Sequence, residues 1–362
     1  MSERSALDWA PRHASRRWLL IAAGLVAAFL MSLVPQTQTE AASTPYRTRS
    51  FSFADICADG LSWTSEKVQG FPALAPRDKH GVPMVRRGGK LHYRPGALAI
   101  NGMKRIDAWR HNGDDRQLAQ ALKQARRLRI MARDKRNAWF LPFTYDYAGA
   151  SQVAPWYNAM TQGLVLSFFV RLYDVTGDRR HFDAAKEVFR SFKRLGMGKP
   201  WVAYVDSNRY LWLEHYPLRR PDHVLNAHMH AIFGIYEYGQ VSRSEAARKV
   251  LRGAVTTMRD NAWRYRRKGK TSLYGLRIRS SIYKYHEIHM WQLRLLARIT
   301  GDRFFRNVAS AMGRDRPLVG YVAGRPAIRD RSIVGHHCRP ARPVPPDPTP
   351  PPGEPPVPGP GT

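Results

Sequence analysis

Apolar residues between about Pro95 and Met312 recur at the three- and four-residue spacing that places them on one face of an α-helix. The clearest stripes are Leu118, Leu122, Ala125 and Leu128 in one predicted helix and Phe182, Ala185, Phe189 and Phe192 in another. The pattern predicts a mainly α-helical protein in which each of these helices buries one apolar stripe.

Three similar turns separate the predicted helices. They are Asn112-Gly113-Asp114, Thr176-Gly177-Asp178 and Thr300-Gly301-Asp302. Glycine readily ends a helix in a left-handed conformation, and aspartate caps the start of the next one. The first two turns lie 64 residues apart and the last two 124, about twice that spacing, with a degenerate turn near Gly239 at the midpoint. We therefore predict about four helical hairpins that form an α/α toroid, an incomplete α/α-barrel.

The first 43 residues have the features of an export segment. Basic residues precede an uncharged apolar run from Trp18 to Val34, and small and polar residues follow it. This order is typical of a signal peptide, and the run is also just long enough for a single membrane anchor. Both interpretations place the rest of the chain outside the cytoplasm, either secreted or anchored on the extracytoplasmic side.

The remaining boundaries follow from changes in composition. Residues 44–90 lack helical periodicity and predict irregular structure or a β-hairpin that leads into a helical domain at 91–315. A C-terminal extension covers 316–339. The proline-rich residues 340–362 predict a disordered tail, because proline at this density neither continues a helix nor pairs in a sheet.

The chain of 362 residues is strongly basic, with 59 Lys and Arg against 28 Asp and Glu and a net charge of +31. Such a surplus favours an anionic partner, although a solvated basic surface is the simpler interpretation. The basic residues are spread along the predicted helices and no nucleic-acid-binding motif is present, so we predict no nucleic-acid partner. Cys57 and Cys338 are the two cysteines, which form either one disulfide in an exported protein or two free thiols.

Aromatic and polar residues cluster in the loops between the predicted hairpins. Aromatic rings stack on sugars, whereas amide, carboxylate and imidazole groups bond to sugar hydroxyls. Ordinary loop packing is the alternative. The candidate substrate-binding residues are Trp139, Tyr145, Trp156, Asn158, Gln162, Glu214, Asn226 and His286.

Two further clusters contain groups that can transfer protons. Glu214, His215 and Tyr216 are consecutive and are followed by a proline, so at least one of them is expected to face a cleft. His286 and His289 lie three residues apart on one face of a predicted helix. Without a matching third ligand we predict hydrogen-bonded structural histidines there rather than a metal site.

These segments resemble the C-terminal catalytic region of the D-glucuronyl C5-epimerases, the enzymes that make iduronate in heparan-type chains. The resemblance covers about Leu91 to Met312, without the family's large N-terminal β-rich domains. It is carried by LHYRPGALAINGM, AWFLPFTYDY, PWYNAMTQG, EHYP, VLNAHMHAIFGIYEY, SLYGLR and YHEIHMWQL.

The resemblance implies the identity of the catalytic residues. The tyrosine of the family's EEYP stretch falls on Tyr216, and the tyrosine and arginine of its YDLR stretch fall on Tyr274 and Arg277. The tyrosine before its HxxH-like helix falls on Tyr285. We therefore expect Tyr216, Tyr274 and Tyr285 to be catalytic and Arg277 to bind the substrate carboxylate.

This chain departs from the family pattern at several positions. The second glutamate of EEYP is His215 here, while Glu214 keeps the first, and the aspartate of YDLR is Gly275. Ala227 and His228 stand where the family usually shows glycine and phenylalanine. We expect His215 to take the role of base that the family gives to glutamate, since imidazole has a pKa of about 6.5.

The implied reaction inverts D-glucuronate to L-iduronate in an anionic, uronate-containing polysaccharide. It removes the C5 proton, which is α to a carboxylate, and returns a proton to the opposite face, so two proton-transfer groups are required. We expect Tyr285 to act opposite either His215 or Tyr274, and Arg277 to lower the pKa of Tyr274. Nothing is oxidised, so no cofactor is expected.

The residues leave other functions open. A uronate polysaccharide lyase begins with the same proton abstraction, and a hydrolase needs two carboxylates, for which Glu214, Asp146 and Glu287 are the loop candidates. A non-catalytic protein that binds anionic glycans would use the same aromatic loops and positive charge. A homodimer is also compatible with the sequence.

Overall fold

The computed structural model describes residues 44–56 and 76–317. The predicted export segment, both cysteines and the proline-rich tail lie outside these residues, as does nearly all of the C-terminal extension. Within the described ranges, no helix combines the length and the apolar composition that a membrane span requires.

Helices dominate the described residues, so the predicted mainly α class is confirmed. The short strands form three antiparallel pairs: β1 (Val85–Arg87) with β2 (Lys90–His92), β3 (Arg133–Asp134) with β4 (Trp139–Phe140), and β5 (Ala203–Val205) with β6 (Leu211–Leu213). The helices are α1 (Pro95–Asn112), α2 (Asp115–Met131), α3 (Ala159–Thr176), α4 (Arg179–Lys193), α5 (Leu225–Ser242), α6 (Glu245–Asn261), α7 (Tyr283–Thr300) and α8 (Arg303–Asp315).

The predicted turns join these helices into four hairpins. Gly113, Gly177 and Gly301 are left-handed, with φ of 69°, 69° and 68°. Each following aspartate caps the next helix, where its side chain accepts a hydrogen bond from the backbone N–H two residues later. These local interactions explain why helices end and begin at these three places.

The fourth turn is displaced from its predicted position. Gly239 lies inside α5, and the left-handed residue is Arg243, with φ of 51°. Ser244 then caps α6 by accepting from the N–H of Ala247. The repeat is therefore real, although a costlier left-handed arginine replaces glycine in it.

The hairpins form two layers. Helices α1, α3, α5 and α7 pack side by side in that order as the inner layer, and α2, α4, α6 and α8 each pack against their own partner. Gly96 lies against Thr161 where α1 and α3 begin, and Arg110 pairs with Asp174 where they end. Neighbouring inner helices therefore run in the same direction, as in an incomplete α/α-barrel.

Helices α3 and α5 show the same parallel register. The amide of Asn226 lies 3.9 Å from the sulfur of Met160 near their first turns. Further along, Arg171 and Glu237 form a buried ion pair at 2.8 Å. The inner helices thus begin at one common end of the toroid, where the loops before them also meet.

The predicted apolar stripes are mostly correct. The four stripe residues of α4 are all buried. In α2, however, Leu122 is 37% exposed, whereas Ala121 and Gln124 are buried. The prediction for Leu122 is wrong because the buried face of α2 consists of Ala121, Gln124, Ala125 and Leu128, which turns Leu122 toward solvent.

Candidate active site

The candidate site lies at the end of the toroid where the inner helices begin. Three segments reach this end: residues 132–158 before α3, 206–224 before α5 and 266–282 before α7. They carry most of the residues that the sequence indicated. The β1–β2 hairpin joins them through His92, whose Nδ1 lies 2.9 Å from the hydroxyl of Thr144.

Three tyrosines converge there. The rings of Tyr274 and Tyr285 lie 4.5 Å apart between centroids, and the hydroxyl of Tyr274 hydrogen-bonds to the hydroxyls of both Tyr285 and Tyr216. Tyr274 is 9% exposed and packs on Val224 and Ala227. Tyr216 and Tyr285 are only partly buried, so the three-tyrosine cluster keeps an open side.

The environment keeps the phenols of Tyr274 and Tyr216 protonated. Burial raises the pKa of Tyr274, and the hydroxyls of Tyr216 and Tyr285 raise it further. Burial also raises the pKa of Tyr216 to about 12. The expectation that Arg277 lowers the pKa of Tyr274 is therefore wrong: the pKa is raised, mainly because desolvation penalises the phenolate.

Arg277 lies at the surface of the same loop. Its side chain is exposed, as is that of Arg279. Its backbone N–H donates to the carboxylate of Asp222 at 2.9 Å. The loop therefore fixes the backbone of Arg277 and leaves its guanidinium at the open end of the toroid, where an anion can reach it.

His215 lies beside the three-tyrosine cluster. Its ring meets that of Tyr216 edge-on, with centroids 4.3 Å apart. Nδ1 is buried and has no hydrogen-bond partner among the described residues. Burial lowers the pKa of His215 to about 4, so the imidazole is neutral at pH 7 and able to accept a proton.

Glu214 points away from the open side. It is fully buried, and its two carboxylate oxygens accept from Nδ1 and from the backbone N–H of His223, at 2.6 and 3.3 Å. The His223 ring stacks on Trp212 with centroids 3.9 Å apart. The predicted role of Glu214 in substrate binding is wrong, because both oxygens are already bonded inside the protein.

Gln162 is a second correction. It is fully buried in α3, its amide oxygen accepts from the N–H of Leu141, and its amide nitrogen donates to the carbonyl of Trp139 and to Ser191. These bonds tie strand β4 to the inner helix. Both amide N–H groups are used and the side chain is 0% exposed, so Gln162 is not available to a sugar.

His286 is a third correction to the predicted binding residues. Its Nδ1 accepts from the N–H of Ser272 at 3.0 Å and its Nε2 donates to the carbonyl of Arg316 at 3.1 Å. His289 meets the hydroxyl of Ser272 at 2.8 Å. The interpretation of these residues as hydrogen-bonded structural histidines is therefore correct for His286, and no cluster of metal-ligand type occurs within residues 44–56 and 76–317.

The aromatic loop before α3 is largely self-packed. Trp156 stacks on Phe143 with centroids 4.1 Å apart, and its indole N–H donates to the carbonyl of Tyr145. Trp139 is partly buried against the core. The Tyr145 hydroxyl bonds to Arg94, although burial still raises its pKa.

Tyr147 was overlooked among the candidate residues. It is 45% exposed, and its ring lies 6.3 Å from that of Tyr216 and 6.3 Å from that of Trp156. An exposed ring beside the tyrosine cluster offers a face for sugar stacking. Its place in an aromatic-rich stretch was the available signal, but only the fold separates it from its buried neighbours.

Several buried polar atoms at or near the start of the inner helices have no hydrogen-bond partner among the described residues. Asn158 caps α3 through its amide oxygen, but within residues 44–56 and 76–317 its amide nitrogen bonds to nothing, and neither does the amide oxygen of Asn226. Nε2 of His289 also lacks a partner among the described residues, and its ring stacks against Tyr285 at 6.4 Å. Such groups are rarely left unsatisfied, so this region suits a polar ligand or ordered water.

The sequence from β3 to α8 agrees with this site. Residues 133–313, half of the chain, match the family described as D-glucuronyl C5-epimerase C-terminus. The chain belongs to this family. The matched residues contain all three tyrosines, His215 and Arg277, so the D-glucuronyl C5-epimerase signature and the geometric cluster coincide. Family membership supports a carbohydrate epimerase.

Two solved structures show similarity in fold. Cellobiose 2-epimerase from Bacillus thermoamylovorans is 15% identical, with a TM-score of 0.46 over 62% of this chain and 62% of the other. A family 76 α-mannanase from Bacteroides thetaiotaomicron is 12% identical, with a TM-score of 0.44 over 64% of this chain and 59% of the other. The chain thus spans about three-fifths of the length of each.

Proposed function

We propose that this protein inverts C5 of D-glucuronate units to L-iduronate in an acidic polysaccharide outside the cytoplasm. The observation that carries the proposal is the convergence of Tyr216, Tyr274 and Tyr285 at the open end of the toroid, in a chain of the D-glucuronyl C5-epimerase family. Proton transfer at C5 needs groups of this kind and no cofactor.

The geometry favours His215 as the group opposite the tyrosines. Groups acting on opposite faces of one carbon each lie about 3 to 3.5 Å from it, and so about 6 to 7 Å from each other. The hydroxyls of Tyr274 and Tyr285 are hydrogen-bonded, which is too close for opposite faces. Of the two pairings that the sequence allowed, Tyr285 with His215 therefore fits better.

The chemistry then follows from the protonation states. The C5–H bond breaks, its proton passes to the neutral His215 imidazole, and its electron pair spreads into the substrate carboxylate. Tyr285, whose hydroxyl bonds to Tyr274, donates a proton to C5 from the other face. The substrate carboxylate itself raises the pKa of His215 from its low value, because an anion favours the imidazolium.

The charge distribution supports an acidic substrate. Arg277 and Arg279 follow Tyr274 on one loop, Arg219 and Arg220 follow Tyr216 on another, and all four are exposed. In a chain of net charge +31, these side chains draw a polyanion toward the open end. The predicted export segment is consistent with a polysaccharide substrate, and we propose secretion or extracytoplasmic anchoring on that basis.

Incubation of the full chain with a glucuronate-containing polysaccharide in heavy water, followed by NMR, tests the proposal. We expect deuterium at C5 and the appearance of iduronate signals. Unsaturated products that absorb in the ultraviolet would instead identify a lyase. Binding without any C5 exchange would identify a glycan-binding protein, and either result contradicts the proposal.

Three variants test the assignment of residues. We expect Tyr285→Phe and His215→Ala each to lower C5 exchange by at least about a hundredfold, the usual contribution of one positioned acid or base. The control is Tyr210→Phe, because Tyr210 hydrogen-bonds to Asp260 and Arg47, away from the cluster. Normal C5 exchange in His215→Ala would show that His215 is not the base.

A further inference from the structure

Gly275 stands where the YDLR motif of the family carries an aspartate, and the structure shows why this chain has no side chain there. A Cβ on Gly275 would lie 2.1 Å from Oδ2 of Asp222 and 2.4 Å from its Cγ. The carboxylate of Asp222 therefore fills the space that a side chain at position 275 would need.

Asp222 uses this position to hold the backbone that follows Tyr274. Its Oδ1 accepts from the N–H groups of Arg277 at 2.9 Å and Ile278 at 2.6 Å. Its backbone carbonyl accepts from the N–H of Leu276 at 2.7 Å. Because Asp222 is 1% exposed, water cannot replace these bonds.

An aspartate at position 275 would be able to accept hydrogen bonds from the same two backbone N–H groups that Oδ1 of Asp222 binds. An aspartate commonly accepts from the N–H groups two and three residues ahead, which forms an Asx turn. Counted from Gly275, these are the amides of Arg277 and Ile278. A carboxylate from another segment thus makes the bonds that the motif aspartate is suited to make.

We propose that Asp222 replaces the motif aspartate as the positioning residue that holds Tyr274 and Arg277 in register with Tyr216 and Tyr285. The inference rests on the proposed epimerase function. A second bond supports it, since the N–H of Leu225, three residues after Asp222, donates to the carbonyl of Tyr274 at 3.0 Å. Residues 222–225 are therefore hydrogen-bonded to the loop on both sides of Gly275.

The first test removes the carboxylate. Asp222→Ala frees the amides of Arg277 and Ile278, so we expect kcat to fall about a hundredfold, the loss that a misplacement of about 1 Å can cause. KM should change less, because the exposed guanidinium of Arg277 still meets the substrate. Asp222→Asn, which keeps an oxygen acceptor and is the safer variant to fold, should lose less activity.

Asp222→Asn also has a signature that a purely structural role would lack. The pKa of Tyr216 is raised mainly by burial, and the charge of Asp222 adds to it. Loss of that charge should move the alkaline limb of the pH–rate profile to lower pH. An unchanged profile together with wild-type kcat in both variants would overturn the inference.

The decisive test moves the carboxylate back into the motif. Gly275→Asp alone should be severely impaired, because its Cβ overlaps Asp222. Asp222→Gly combined with Gly275→Asp should recover at least about tenfold over Asp222→Gly, since the Asx turn restores both bonds. A double variant no better than Asp222→Gly would contradict the replacement.

Amide hydrogen exchange at residues 276–278, measured without substrate, separates this inference from the proposed function. Faster exchange in Asp222→Ala, in a protein that shows no C5 chemistry, would refute the epimerase proposal and leave the anchoring role of Asp222 supported. Normal C5 chemistry with unchanged amide exchange in Asp222→Ala would refute the positioning role alone.

Discussion

Gly163 of α3 and Gly234 of α5 bring two inner helices into direct backbone contact. A Cβ on Gly234 would lie 2.2 Å from the carbonyl oxygen of Gly163, and one on Gly163 would lie 2.5 Å from Cα of Ala231. Glycine at both positions therefore sets how closely these helices approach, and with them the segments that carry His215 and Asn158.

Gly234→Ala should destabilise the protein by about 3 kcal/mol, because the new methyl group meets backbone that cannot move without separating α3 and α5. Urea unfolding measures the loss. Gly239→Ala in the same helix is the matched control, since its Cβ would lie 3.7 Å from the nearest side chain. The control should stabilise by about 0.5 to 1 kcal/mol; equal effects at both positions would argue against the close contact.

The buried ion pair between Arg171 and Glu237 should respond asymmetrically to substitution. Glu237→Gln leaves the Arg171 charge buried without its carboxylate and should cost about 3 to 5 kcal/mol. Replacing both residues with methionine should recover most of that loss. Glu245→Gln, which breaks the exposed pair with Arg248, should cost less than about 1 kcal/mol. If the double methionine variant were as unstable as Glu237→Gln, the buried charge of Arg171 would not explain the loss of stability.

Tyr274→Phe should remove the central hydroxyl of the cluster while the ring keeps its packing on Val224 and Ala227. We expect C5 exchange to fall by at least about a hundredfold, with little change in the thermal unfolding midpoint. Tyr210→Phe, outside the cluster, controls for loss of a phenol. An active Tyr274→Phe enzyme would exclude the hydroxyl network from the reaction.

Buried histidines should make the fold sensitive to acid. Burial lowers the pKa of His228 to about 4 and that of His230 and His289 to about 3, against about 6.5 in the unfolded chain. Above pH 6.5 both states are neutral and stability is complete. As the pH falls toward 4, only the unfolded chain binds these protons, so stability should decrease by up to about 1.4 kcal/mol per pH unit for each histidine.

His228→Gln is the variant that tests this dependence. The His228 ring accepts from the N–H of Leu213 and donates to the carbonyl of Ala254, and a glutamine amide offers the same two functions. Between pH 6.5 and 5, the free energy of unfolding should depend less steeply on pH than in the wild type. The difference should be up to about 1.4 kcal/mol per pH unit, because one proton fewer is bound on unfolding. An unchanged slope would mean that His228 does not titrate in this range.

The sequence by itself determined the helical hairpins and their turns. Gly113, Gly177 and Gly301 end helices, and the aspartates after them start new ones through bonds to the backbone N–H two residues later, so local pattern suffices. The same holds for most of the apolar stripes. The turn at Arg243 was found only approximately, because arginine is a weaker signal than glycine for the left-handed end of a helix.

Only the tertiary structure decided which polar residues face the open end. Glu214, Gln162 and His286 each have the chemistry of a binding residue, yet each is bonded within the fold to a partner at least nine positions away in the chain: His223, Ser191 and Ser272. Burial, which raises the pKa of Tyr274 and lowers that of His215, depends on the same packing. Chain spacing does not reveal whether a side chain meets water or a distant partner, because that depends on how the inner helices pack together.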